Sequence, residues 1–418
     1  MADLPIRART RQSGFTLVEM AVSLFVTVSV ILGVLMLFDF TNKLSKVQGN
    51  VADMQQSLRI AQHDVVRLVR MAGRGGLPVG NLPNGLAVSV RNNVGAGERI
   101  GGGATPRIVE GTDVLTVRGV FAAPIYRVAE ASSRINFDGV GGPGGATRGS
   151  IVIPAAEPAN LAQDLEPLRQ AIQKSRPEAL VLVSRQNRAV YAVVELDPAN
   201  SVASANQVTV AFHINGGQHA ASYRTLSSGG AFPPTLTAVA FVGLLEEYRF
   251  YVREEHVNRD DDGSDFAPKL SRARTYPATD VPYDDDPDEP DESDSWQNDI
   301  ADNILDLQVA FGLDTNIDGC SIAENESTCT ISETEDGTGD DWLFNETSAP
   351  EPALLAGAQL HYVRLSTLAR TDRRDIQYQS PLLVRLEDHD FTNSPLNERE
   401  DRMFRRRLLQ TVIDMRNL

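Results

Sequence analysis

The chain has 418 residues and carries 39 Lys and Arg against 56 Asp and Glu, a formal net charge of −17. That excess of negative charge excludes nucleic acid or an anionic lipid surface as a general partner. Length alone allows two or three domains, and the only two cysteines, Cys320 and Cys329, are too few for a thiol-ligated metal cluster.

The first predicted element is a short basic leader, residues 1–14, in which Arg7, Arg9 and Arg11 face a single Asp3. Gly14 ends it, and an apolar run of 24 residues begins at Phe15 and ends at Phe38, with Glu19 its one charge. A secretory signal has an apolar core of about 7–15 residues and a small-residue cleavage site. Here the run is longer and no Ala-x-Ala follows, so residues 15–40 read as a membrane span that is retained, since a span needs about 20 residues. Beyond it Asp39, Lys43, Lys46 and Asp53 cancel. The positive-inside rule therefore predicts a cytoplasmic leader and an exported remainder.

From Leu44 the apolar residues Val47, Val51, Met54, Leu58, Ala61, Val65, Leu68 and Ala72 follow in steps of three and four. This stripe predicts that the helix continues through residues 41–72 and offers one face to a globular head; a two-stranded coiled coil is the competing reading. Gly73, Gly75, Gly76 and Pro78 supply the stop.

Residues 73–418 then read as a β-rich head. Strands are expected at Leu86–Val90, Val114–Phe121, Ile151–Ile153, Leu180–Ser184, Ala189–Leu196, Val208–Ile214 and Tyr248–Arg253. Further strands are expected at Leu305–Gly312, Leu360–Leu368, Leu382–Leu386 and Arg407–Ile413, with a hairpin turn at Gln186–Arg188 and a helix over Leu161–Lys174. The fold class is therefore α+β, one long helix packed on antiparallel sheet. Two acidic insertions interrupt the head, 258–299 and 314–350, and the first holds eight acids between Asp284 and Asp294. Like-charge runs with proline usually stay solvated.

Chemistry-bearing patterns are few. In an oxidising compartment Cys320 and Cys329 would form a disulfide closing a loop of about 10 residues, which contributes roughly 2.7 kcal/mol; two free thiols are the alternative. Asp314, Asn316, Asp318 and Gly319 match the first half of an EF-hand loop, but the twelfth position is Asn325. Asn258, Asp260, Asp262 and Gly263 repeat the half-motif with Lys269 twelfth. Calcium bound by Asp314, Asn316 and Asp318 and a plain acidic turn both remain open. The sequence contains no nucleophile elbow, phosphate loop, Cys-x-x-Cys or His-Glu-x-x-His, so no enzyme is expected. His213 and His219 read as strand-end residues, and His63–Asp64 as helix surface. Arg405–Arg407 read as an exposed strand flank or a contact for an acidic partner.

The run from Arg11 to Met20, with Gly14, Phe15 and Glu19 at its centre, closely resembles the class III signal of type IV prepilins. That resemblance implies cleavage after Gly14 by a prepilin peptidase, N-methylation of Phe15, and a role for Glu19 in subunit assembly as counter-charge to a neighbour's Phe15 amine. A lone carboxylate in a bilayer costs roughly 2.5–3.5 kcal/mol on insertion scales, which gives such pairing a physical motive. Leu68-Val-Arg-Met-Ala-Gly73, Tyr248–Arg253, Pro268–Arg272, Asp306-Leu-Gln-Val-Ala-Phe-Gly312 and Phe404–Asn417 are further similar to the PilW-type minor pilins. This implies a pilin-like fold and an inner-membrane, single-pass protein with its C-terminal domain in the periplasm until it enters a pilus tip or filament. It also implies partners: other minor pilins, the major pilin, the inner-membrane assembly platform and a pilus-tip adhesin. The size of the head and the acidic insertions depart from the commoner shorter members. A type II secretion pseudopilin and a pilin-anchored adhesive or calcium-binding module are the alternatives.

Overall fold

The computed structural model describes residues 16–78, 87–101, 107–139, 144–155, 163–257, 265–284, 296–314 and 359–415, with strand fragments at 324–325, 330–331 and 342–343. Helix α1 covers Leu17–Arg70. The chain divides into two units, residues 1–52 and 53–418. In the first, the described residues are all helical after Thr16, and large apolar side chains from Leu17 to Phe40 are exposed. The helix is long and apolar enough to cross a membrane. Four of its hydroxyl-bearing residues are satisfied on the helix itself. Ser23, Thr27, Ser29 and Thr41 donate to the carbonyls of Met20, Ser23, Phe25 and Phe38, 2.7–3.0 Å away. Such back-bonding spares those four hydroxyls the need for water.

The second unit opens with the last turns of α1, where Met54, Leu58, Ala61, Val65, Leu68 and Val69 are buried. The predicted stripe holds from Met54 onward, and Ala72 is buried beyond the helix end. The helix stops at Arg70, two residues short of the expected end, and the chain turns through Gly73, Gly75 and Gly76, all with positive φ.

The longer strands are β1 (Val88–Arg91), β2 (Val114–Gly119), β3 (Arg148–Pro154), β4 (Ala179–Ser184), β5 (Tyr191–Leu196), β6 (Gln207–His213) and β7 (Val239–Arg253). They continue as β8 (Lys269–Thr275), β9 (Gln297–Asp302), β10 (Ile304–Asp314), β11 (Gln359–Arg370) and β12 (Arg406–Asp414). Among the described residues, nine of them join three short strands in a twelve-stranded sheet, and the other three join Trp342–Leu343 in a four-stranded sheet. The large sheet runs β1-β2-β7-β4-β5-β6-β3, with β8 branching from β7, β9 paired to β8, and every pairing antiparallel. In the small sheet β11 lies between β10 and β12, also antiparallel. The fold is thus α+β, as the sequence leads one to expect.

Strand β7 organises the large sheet. Its first half, Phe241–Leu245, pairs with β4, and its second half lies between β2 and β8. One strand of 15 residues therefore belongs to two ladders. Every residue of β4 and β5 is buried, the pattern of strands covered on both faces. The hairpin turn at Gln186–Arg188 joins them as expected. Helix α2 is confined to Glu166–Gln173, and the strand expected at Leu382–Leu386 is a two-residue pair, Arg385–Leu386. Among the longer strands, the first half of β7, β8 and β9 were not legible beforehand.

Candidate functional site

The start of α1 is a capping box. The Thr16 amide and hydroxyl both donate to Glu19 Oε2 at 2.9 Å, and the Glu19 amide donates back to Thr16 Oγ1 at 3.3 Å. Reciprocal bonds of this kind satisfy amides that a helix start otherwise leaves open. Glu19 thus sits at the N-terminal turn, where the helix dipole favours negative charge. Gly14 and Phe15 lie outside the described residues, as do Cys320, Cys329, Asn316 and Asp318. Asp314 ends β10. The half-motif at Asn258–Gly263 also lies outside. Among the described residues no group of three or more His, Cys, Asp or Glu could hold a metal ion.

The second half of α1 is fastened to the head by polar contacts as well as by its stripe. Gln62 donates through Nε2 to the Leu409 carbonyl (3.1 Å) and accepts from the Thr411 hydroxyl through Oε1 (2.8 Å), so one amide grips β12 twice. Asp64 pairs with Arg272 of β8 at 2.9 Å and with Arg67 at 3.1 Å. The expected surface position of Asp64 is therefore corrected: it faces the head, and only His63 is exposed. The turn after the helix is then tied to the large sheet, with Gly73 N donating to Arg118 O and Val120 N to Arg74 O. A Cβ on Gly75 would lie 2.5 Å from Val120 Cγ2, and one on Gly76 2.5 Å from Val183 Cγ2. Backbone and sheet approach so closely there that only glycine fits.

Two buried charge clusters stiffen the head. At the centre of β7, Glu247 is fully buried and meets Arg118 at 2.6 Å and Arg249 at 2.8 Å. It also accepts from Thr275 Oγ1 and the Ala278 amide, each at 2.8 Å. Burial would push this carboxyl up, but the two guanidiniums outweigh it and hold it down to about 2. Neighbouring Glu246 accepts from the amides of Phe121 (3.0 Å) and Ala122 (2.7 Å).

The second cluster joins the two sheets. Asp113 accepts from Asn93 N (2.9 Å) and Val309 N (2.8 Å), and burial pushes its carboxyl well up. Asp306 of β10 is buried and contacts His389 Nδ1 at 3.0 Å; burial raises it, and the bond to His389 works against that rise. Gln308 reaches the Gly111 carbonyl at 2.8 Å. The Asp306–Gly312 motif therefore acts in joining the sheets.

At the C-terminal motif Phe404 is buried, with the Arg370 guanidinium 4.2 Å from its ring centroid. Arg405 pairs with Asp375 at 2.8 Å and Arg406 donates to the Leu396 and Asp401 carbonyls, while Arg407 is exposed. Only the last of the three arginines fits the expected exposed flank. His213 approaches Asp197 at 3.6 Å, whereas His219 stacks on Tyr276, so the two histidines have separate partners.

Sequence reading missed Gln62, Arg118, Glu247 and His389. A pair of carboxylates inside an apolar strand run, Glu246–Glu247, was the available signal, because such groups are buried only with partners. No curated protein and no solved structure matches the chain. Residues 249–417 match the family model PilW, described as Type IV Pilus-assembly protein W. This segment runs from the second half of β7 to the end of β12 and takes in the small sheet, the Asp306 junction and the strand gripped by Gln62. Together with the long apolar helix at the start of the chain, the match supports a PilW-type type IV pilus protein.

Proposed function

We propose that this protein is a minor type IV pilin that helps initiate pilus assembly and caps the filament within a minor-pilin tip complex. Prepilin peptidase removes residues 1–14 after Gly14, and Phe15 becomes the N-methylated amino terminus. Residues 15–40 hold the protein in the inner membrane with residues 73–418 in the periplasm, until the subunit is drawn into the filament with other minor pilins and the major pilin. Cys320 and Cys329 form a disulfide in that compartment.

The observation that carries this reading is the position of Glu19. Its carboxylate closes on the Thr16 amide, one residue beyond the proposed new amino terminus, at the head of an exposed apolar helix. A fixed carboxylate there is poised to neutralise the Phe15 ammonium of a neighbouring subunit, and the pairing offsets the desolvation of both charges. The size of the head favours the tip, since a domain larger than the usual 50–250 residues would crowd helical packing along a shaft.

Two substitutions test this role. Glu19→Gln keeps an oxygen for the Thr16 cap and removes the charge, whereas Glu19→Ala removes both. Both variants should be cleaved and inserted normally and be missing from sheared filaments. Recovery of Glu19→Gln in filaments at the wild-type level would contradict the counter-charge.

A further inference from the structure

One concavity on the large sheet differs in charge from the rest of this acidic chain. A cavity of about 330 Å³ opens between the Tyr126–Arg127 strand fragment, the β4–β5 turn and the start of β7. Arg127, Arg185 and Arg188 line it, with Ser184, Val128, Ala240 and Phe241 forming the remaining wall, and no carboxylate is among its lining residues.

The walls are held by the fold. Arg127 and Phe241 are register partners, and Gln163 fixes the Arg127 backbone by accepting from its amide (2.7 Å) and donating to its carbonyl (3.0 Å). The Arg185 guanidinium is steadied by donating through Nη2 to the Val128 carbonyl. Arg188 lies over the Phe241 ring, 5.8 Å from its centroid. Ser184 is buried, and its hydroxyl oxygen accepts from the amides of Gln186 (3.2 Å) and Asn187 (3.4 Å), which leaves its proton free to be donated.

Among the described residues, no carboxylate pairs with Arg185 or Arg188. Two uncompensated guanidiniums beside a hydroxyl donor therefore face a small concave space. In a chain of net charge −17 this arrangement is unlike that of Arg118 and Arg249, whose guanidiniums meet the Glu247 carboxylate. Guanidinium forks match the oxygens of phosphate and carboxylate, and two of them balance a dianion better than a monoanion. The volume lies at the lower end of the range of small-molecule sites, about 300–1,000 Å³.

We infer that this cavity is a binding site for a compact phosphate monoester, with Arg185 and Arg188 on the phosphate oxygens and Phe241 beneath the organic part. The shared chemistry, a phosphate dianion, could come from a sugar phosphate or from free phosphate.

The test is isothermal titration calorimetry of the full chain in detergent micelles, with glucose 6-phosphate, inorganic phosphate and glucuronate as probes. Saturable binding of glucose 6-phosphate is expected, weakened at least tenfold in Arg185→Gln/Arg188→Gln. Tighter binding of glucose 6-phosphate than of phosphate supports an organic ester as ligand, and equal binding supports free phosphate as the source. Because both arginines are exposed, the variant should keep the wild-type urea midpoint, and Ser184→Ala provides a second variant that should also weaken binding. No saturable heat with either phosphate probe, unchanged affinity in the double variant, or glucuronate bound as tightly as glucose 6-phosphate would overturn the assignment.

Discussion

Glu247 offers the sharpest test of how the head is held together. Its carboxylate has no solvent exposure and two guanidinium partners, Arg118 and Arg249, whose side chains are only 11% and 9% exposed. Removing one member of a buried ion pair costs about 3–5 kcal/mol, because the remaining charges stay desolvated without their partner. In Glu247→Gln, Arg249 keeps Asp280 at 2.5 Å and the Thr279 carbonyl. The loss should therefore fall near the lower bound, at about 3 kcal/mol.

The same contacts set a pH dependence. This carboxyl is held at about 2 in the folded chain against 4.5 unperturbed. A depressed folded-state value contributes stability that is complete above the unfolded value and disappears as pH falls through the folded one. At 1.36 kcal/mol per pH unit, that interval corresponds to roughly 3 kcal/mol. Urea denaturation of the full chain in micelles, followed by tryptophan fluorescence, measures the effect; Trp296 packs against the buried cluster of Val94, Ile108 and Tyr251. Wild type should exceed the variant by about 3 kcal/mol at pH 7, and the gap should narrow between pH 4.5 and 2. A difference below about 1 kcal/mol at pH 7, or a gap that stays constant through the acid range, would refute the role given to Glu247.

Two further predictions concern the helix and its exit. Gln62→Ala leaves the Leu409 carbonyl and the Thr411 hydroxyl without their helix partner, so urea stability should fall by about 1–3 kcal/mol; an unchanged midpoint would mean that the stripe alone fixes the helix. Gly75→Ala places a side chain at φ +106° and against Val120, and backbone strain with overpacking should together cost about 2–5 kcal/mol, read in the same assay; a loss below 1 kcal/mol would show that the turn can relax.

What the sequence revealed follows from how local each signal is. The α1 stripe was legible because Met54, Leu58, Ala61, Val65 and Leu68 repeat within a few turns, and the hairpin at Gln186–Arg188 because turn and strands are adjacent. Gln62 was not, since a polar residue beside an apolar stripe gives no sign that its partners lie 347 and 349 residues away. The first half of β7, Val-Ala-Phe-Val-Gly-Leu-Leu, lacks strand alternation because most of its residues are buried on both faces of the sheet. Strand β8, Lys-Leu-Ser-Arg-Ala-Arg-Thr, looks like a loop by composition; its arginines are accounted for by Asp64 of α1 and Glu246 of β7. The site at Glu19 was the opposite case, because a lone charge in an apolar run stands out in sequence. Its capping bond to Thr16 appears only once the helix start is folded.

The direct measurement of the central proposal is the amino terminus of the mature protein. Intact-mass and tandem mass spectrometry of protein recovered from membranes should find a chain beginning at N-methylated Phe15. A chain that still begins at Met1 would contradict processing, and with it the pairing of Glu19 to a neighbour's amine.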